Sequence, residues 1–414
     1  MTEARQSRSG GALLGPLGNP LIAIFLTVLV DLIGFGVVIP LLPFYAEHFH
    51  ASPEAVTLLM AIYSFMQFFS APLWGRLSDR YGRKPILVSS LAGIALAYLW
   101  IGFADALWAL FAARALAGAM AGNLGAAQAY IADVTTPEKR AQGMGLIGAA
   151  FGLGFILGPA IGGVLAGSDP HNPHVLAPAL VSTGLSLTAL LFAVFFLRES
   201  LPPERRATLA SAPRPGRLAL LRSAWRQPAL RLSMLLLFLV TFVFSAMEST
   251  FALWSERLFH WGAEQNGYVF AYTGIVAAFV QGVLIRPLAP RLGEARLVQQ
   301  GAIALCLGLA LIPFVASLAP LLVAMTLLAL GLGFTNPSLS SLISLAAARD
   351  SQGSTLGLSQ SAASLARILG PAWAGLLFAQ LGRNWPFISG AAIMAVVLLL
   401  ALGLPRPAQV STGS

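Results

Sequence analysis

The chain has 414 residues, 57% of them hydrophobic and only 10% charged, a composition too apolar for a water-soluble domain of this length. A formal net charge of +9 would point to nucleic acid in a soluble protein; here the placement of charge outweighs its sum, and no nucleic-acid partner is expected. The only cysteine, Cys306, lies inside an apolar run, which excludes a disulfide framework and a thiolate metal cluster.

A membrane-crossing helix needs about 20 apolar residues. Runs bounded by charge, proline or glycine predict twelve, at about 20–46, 54–75, 85–104, 106–131, 141–167, 176–197, 229–256, 265–289, 296–316, 318–347, 354–380 and 385–404. The first run is too long for a signal h-region, so no cleavable signal is expected. The fold class is therefore all-α membrane protein, with twelve transmembrane helices in two pseudo-symmetric six-helix bundles.

Lys and Arg collect on the cytoplasmic side of membrane proteins. With the N-terminus inside, 21 of the 25 basic residues fall in the even-numbered loops and the two ends. Only Arg257 and Arg383 lie in outer loops, and Arg114 and Arg367 lie within spans. An even span count also puts both termini inside, so a multi-pass protein of the cell membrane with both termini cytoplasmic is expected. All five histidines, His48, His50, His171, His174 and His260, then lie on the outer side. Pairs of sparse loop histidines read as solvated, and no metal site is expected.

The long Pro- and Arg-rich connection divides the chain into 1–198, a first bundle, 199–228, a cytoplasmic linker, and 229–414, a second bundle. The two halves echo each other. ILGPAIGG at Ile156–Gly163 returns as ILGPAWAG at Ile368–Gly375, 212 positions on. Leu77, Arg80 and Gly82 return as Leu288, Arg291 and Gly293, each 211 positions on, with Pro290 where Asp79 would stand. Two homologous bundles around a midplane site are the plan of a secondary transporter. A membrane enzyme would require His, Cys or acid groups converging on one face, which the scattered histidines and lone cysteine do not provide.

Charges within hydrocarbon are costly and mark function. Asp31, in FLTVLVDLIGFGVVIPLLP, and Glu248, in FLVTFVFSAMESTFALW, are one acid per half, each near mid-span. Arg114 is the buried counter-charge in the first half, on one face with Gly118 and Gly122, and Arg367 lies in the eleventh span. Asp31, Arg114 and Glu248 are the candidates for proton coupling. In the fifth span Gly154, Gly158 and Gly162 step by four with Pro159 among them, and Gly370 and Pro371 repeat the pattern, a close-packed, bendable helix fit for a gate. Tyr63, Gln67, Asn123, Gln128, Tyr272, Gln281, Asn336 and Gln360 are the uncharged polar groups deep in spans, candidates to line a cavity for an amphiphilic substrate or to bond between helices.

These motifs resemble those of a known family. GRLSDRYGRKP (Gly75–Pro85) is similar to the signature loop of the major facilitator superfamily, RALAGAMAG (Arg114–Gly122) to its fourth-span motif, and GFILGPAIGG (Gly154–Gly163) to the fifth-span motif of its antiporters. With VDLIGFGVVIPLLP and YIADVT, the chain resembles twelve-span drug/proton antiporters, most closely the tetracycline efflux group. The resemblance implies a proton-coupled exporter of small lipophilic compounds, protons and the substrate being its partners with membrane lipid around a monomer, and no cofactor beyond the proton. The alternative is a proton-linked metabolite or lipid transporter. The resemblance further implies a conformational latch of Gly75, Asp79, Arg80, Gly82, Arg83 and Asp133. In it, Asp79 reaches the other bundle and Asp133 pairs with Arg80 or Arg83. Ala97, Leu305 and Ala277 stand where the tetracycline group carries further ionisable residues, and Glu248 stands where that group has a neutral Gln.

Overall fold

A computed structural model describes residues 19–204, 206, 227–346 and 352–404. The linker beyond residue 206, Arg349, and the terminal Arg5, Arg8 and Arg406 lie outside the described residues. Among the described residues, eleven helical stretches are long and apolar enough to cross a membrane, from Pro20–His48 to Gly357–Leu381, and a shorter apolar helix, Trp385–Ala401, follows. Starts are written in the sequence. Asn19 accepts from the Leu21 amide at 3.0 Å ahead of Pro20, and Ser52 caps the helix opening at Pro53, each cap taking up a donor that the first turn leaves orphaned.

Several spans are longer than their apolar runs or are broken within them. The second, Pro53–Tyr81, continues as helix through the charged loop motif, and the third starts at Arg83. The first breaks at Pro40 between Pro20–Val38 and Leu42–His48. The fourth is two helices, Leu107–Met120 and Asn123–Val134, and the carbonyls freed at the break are satisfied from neighbouring spans. Ser70 donates to Gly118 O at 3.3 Å, the Trp74 indole to Ala119 O at 2.6 Å, and Ser90 to Met120 O. In the eighth span a π-turn, Val280–Leu284, precedes Pro287, whose ring and missing N–H disturb the helical ladder.

Packing repeats between the halves. The first span packs on the fifth and sixth as the seventh packs on the eleventh and twelfth, the fourth on the second and third as the tenth on the eighth and ninth, and the third on the sixth as the ninth on the twelfth. Unusual backbone conformations are paired as well: Gly82 with Gly293 (φ 111° and 76°), Gly167 with Gly382, and His50 with His260, both at φ 56°. Gly82 is required by its φ of 111°, which residues with a side chain rarely adopt, and the Glu199 carboxylate occupies the place a Cβ would take.

The seventh span touches the first and second, but the two most extensive contacts between the halves are the fifth span on the eighth and the second on the eleventh. Both are tight toward the end of the molecule bearing the histidines. A Cβ on Gly163 would meet Ala263 O at 2.7 Å and Gly267 Cα at 3.0 Å, one on Gly375 would overlap Thr57, and the Glu264 amide donates to Gly167 O at 3.1 Å. Toward the opposite end the same four spans stand apart. A Cβ at Gly145, Gly148 or Gly152 of the fifth, Gly282 of the eighth, Gly75 of the second or Gly357 of the eleventh would meet nothing within 4 Å. The seam is shut at the histidine end and parted at the end of the Gly75–Pro85 loop.

The gate glycines divide into two faces. Gly154, Gly158 and Gly162 bear on Leu32, Ile33, Gly36 and Val37 of the first span, within one half, whereas Pro159 and Gly163 bear on Gly267 across the seam. Gly370 bears on Phe242 and Ser245 of the seventh span, and Gly375 across the seam, so the repeat holds contact by contact. A Cβ on Gly36 would lie 2.8 Å from Gly154 O, with backbone on both sides. Gly36→Ala is therefore expected to lower the melting temperature of the purified protein by several degrees, a loss on the order of 1–3 kcal/mol. Gly184→Ala, with open space around it, leaves the melting curve within error.

Candidate functional site

At mid-membrane the first contact is that of Asp31, which is 5% exposed. Asn123 Nδ2 donates to its Oδ2, and Ser186 Oγ to its Oδ1 at 3.5 Å. Asn123 opens the second helix of the fourth span, and its own amide donates to Ser90 Oγ at 3.0 Å. The acid is thus bonded to the residue that follows the break, and Ser90 ties that residue to the last carbonyl before it. Both side-chain partners of Asp31 are neutral; Arg114 is not among them.

Arg114, 2% exposed, lies over the ring of Tyr63 at 4.8 Å, a cation–π contact bringing the fourth span against the second. Gly118 and Gly122 make this possible, since Tyr63 backbone and the Trp74 side chain occupy the places where their Cβ atoms would be. The guanidinium Nε and Nη1 have no hydrogen-bond partner among the described residues. The acid whose charge acts on Arg114 is Glu248, from the other half, and Glu248 also faces Arg367. No hydrogen bond or ion pair within 4 Å joins Glu248 to either arginine among the described residues; Arg367 donates instead to Ser364 at 3.2 Å. The counter-charge expected inside the first half is therefore shared across the two halves.

The other cavity candidates divide. Tyr63 and Asn123 belong to this central cluster. Tyr272 bonds Thr326 at 2.7 Å and so ties the eighth span to the tenth. Gln67 and Gln128 are half-buried, while Gln281, Asn336 and Gln360 are exposed in the halves of their spans toward the parted end.

In the loop motif Arg83 is the hub. It pairs with Asp79 at 2.6 Å and Asp133 at 3.1 Å and donates to Ser78 at 3.0 Å. Arg80 lies over Tyr81 at 5.3 Å, and Gly75 stands bare. These contacts lie within the first half, at the end where the seam is parted. The loop is further held by Glu199, at the end of the sixth span, which accepts from the Arg83 and Lys84 amides at 2.9 and 3.2 Å and so caps the third span.

Glu199 was not singled out by sequence reasoning, nor were Ser90 and Ser186, nor the ion pair that closes the opposite end. There Arg257 Nη2 of the seventh span meets Glu47 Oε1 of the first at 3.2 Å, while Arg257 lies over Phe378 and its carbonyl accepts from Arg383. Glu47 and Arg257 are 210 positions apart, the same offset as His50 and His260. They are equivalent positions of the repeat carrying opposite charge, a signal present in the sequence once the repeat is aligned.

Two six-helix bundles enclosing a charged midplane cluster, with a seam shut at one end, define a membrane transporter of small molecules rather than an enzyme. The Major Facilitator Superfamily model matches residues 24–371 and 283–414. The tetracycline resistance protein, class C, of Escherichia coli is 34% identical over 386 residues, 92% of this chain and 96% of that protein. Multidrug resistance protein 2 of Bacillus subtilis is 30% identical over 91% of this chain and 92% of its own length. Among solved structures, the human organic anion transporter MFSD10 (TETRAN) superposes with a TM-score of 0.71 at 28% identity, covering 93% of this chain and 99% of that one. The chain belongs to the major facilitator superfamily.

The Glu47–Arg257 pair is 23% and 40% exposed, so it contributes only about 0.2–1 kcal/mol, enough to bias the seam but not to lock it. With Cys306 replaced by Ala and nitroxide labels at His171 and Leu381, Glu47→Arg is expected to shift the distance distribution toward a parted histidine end. Adding Arg257→Glu restores the original distribution. An unchanged distribution in the single variant removes the pair from the closure.

Proposed function

We propose that this protein is a proton-coupled secondary transporter that exports small lipophilic organic molecules across the cell membrane by alternating access. The observation that carries the reading is the bonding of Asp31 to Asn123 at the break in the fourth span. A carboxylate holds such donors by charge-assisted hydrogen bonds, and protonation removes the charge that strengthens them. A proton on Asp31 therefore loosens the join between the two helices of the fourth span. That break is packed against the second span, one of the four that form the seam. Similarity to tetracycline and multidrug resistance proteins supports export.

With both termini cytoplasmic, the parted end opens to the cytoplasm, and this is the inward-facing state, ready to load cargo. The fifth- and eleventh-span glycine rows carry the rocking of one half against the other. In the opposite state the Asp79–Arg83–Asp133 loop closes on the second half as a latch. The transporter works as a monomer surrounded by lipid. One proton moving inward through 100 mV releases about 2.3 kcal/mol, which sustains a substrate gradient of about 50-fold.

In liposomes with an imposed proton gradient, dye transport by the wild type is expected to follow the gradient and to collapse with an uncoupler. Asp31→Asn is expected to lose gradient-driven transport by at least ~10-fold while keeping exchange at equal concentrations, because exchange needs no proton cycle. Gradient-driven transport at the wild-type rate in Asp31→Asn means that Asp31 does not carry the proton.

A further inference from the structure

We propose that the midplane cluster takes an anionic cargo, an organic acid whose carboxylate or sulfonate is held between Arg114 of the first half and Arg367 of the second. The inference rests on the transport reading above and names the class of its substrate.

Arginine does not shed its proton inside a protein, so a buried guanidinium stays charged and requires a counter-charge. Arg114 is 2% exposed, and two of its three nitrogens have no partner among the described residues. Asp31 is occupied by Asn123 and Ser186. Glu248 faces both arginines, yet no contact joins it to either one. Neither guanidinium has a carboxylate within contact distance among the described residues, and Arg114 keeps two buried donors open. A carboxylate or sulfonate matches the planar fork of each guanidinium and supplies the acceptors that these donors lack. Tyr63, under Arg114, and Phe35, with ring centroids 5.2 Å apart, offer an aromatic wall for a planar apolar body. Because the arginines belong to different halves, the bound acid bridges the seam.

The linkage has a defined sign. The charged groups acting on Glu248 are Arg367 and Arg114, with Tyr63, Tyr98 and Asp31 joining through the arginines. When Glu248 takes up a proton, the arginines lose their own acid, so protonation of Glu248 and binding of an anion favour each other. The proton opposing the cargo is then that of Asp31. The histidines lie at the other end of the molecule and do not face this cluster.

The test uses the full chain in lipid nanodiscs and three matched probes, 2-naphthoate, 2-naphthamide and 2-naphthylmethylammonium, titrated by calorimetry. Naphthoate is expected to bind ~10–100-fold more tightly than naphthamide, the range a charge-assisted pair supplies, and to tighten as the pH falls. Arg367→Gln is expected to erase the acid–amide gap with the amide affinity preserved, which also reports an intact fold. Glu248→Gln flattens the pH dependence. A naphthoate that binds no better than naphthamide, whether both bind or neither does, overturns the proposal, as does tightest binding of the amine. Proton-driven dye export surviving alongside equal acid and amide affinities sinks this inference alone. Acid preference without proton-driven export sinks the export reading instead.

Discussion

Hydrocarbon offers a charge no solvent and a backbone polar group no water, and this constraint organises the whole molecule. Four charges lie deep in spans, Asp31, Arg114, Glu248 and Arg367, and they gather in one cluster at the centre rather than facing lipid. The same constraint explains the carpentry around the fourth span. A break at mid-membrane is tolerated because Ser70, Trp74 and Ser90 take up the carbonyls that it frees. A helix discontinuity that would be ruinous facing lipid is thereby made a permanent feature beside Asp31.

Glycine does the complementary work. Without the hydrophobic effect to drive one apolar helix against another, association depends on close packing. The first and fifth spans approach through Gly36, Gly154 and Gly158 until backbone meets backbone, and such a contact resists sliding. One turn round the same helix, Gly163 makes an equally close contact across the seam. The fifth span is thus fixed to its own half on one face and presents a small, flat surface to the other half on the next.

Much of this was legible in the sequence, because its signals are local or periodic. Span positions follow from apolar run length, the repeat from ILGPAIGG and ILGPAWAG, and the loop cluster from charge density in Gly75–Pro85. The partner of Arg114 was not legible. A buried arginine announces a need for an acid but not which helix brings it, and Asp31, in the same half, is instead satisfied by an asparagine and a serine. The break in the fourth span was hidden for a related reason. Gly122 alone is a weak breaker, and its effect depends on Trp74 and Ser90, which come from spans far away in sequence. The length of the second span was underread because its last turns are charged and its helix runs on beyond the apolar run into the loop.

The symmetry of the fold also sets where the halves had to diverge. Residues beside a pseudo-twofold axis meet their own equivalents, so an unchanged duplicate would place like charges, or the same side chain twice, in one contact. Glu47 and Arg257 are such equivalents, and opposite sign converts an unavoidable repulsion into a clasp. Asp79 and Pro290 are a second difference between equivalents, an acid in one half and a proline in the other. Backbone geometry, recorded in the paired left-handed residues, has remained twofold, while charge has not. On the alternating-access reading proposed above, the first property serves the hinge and the second the direction.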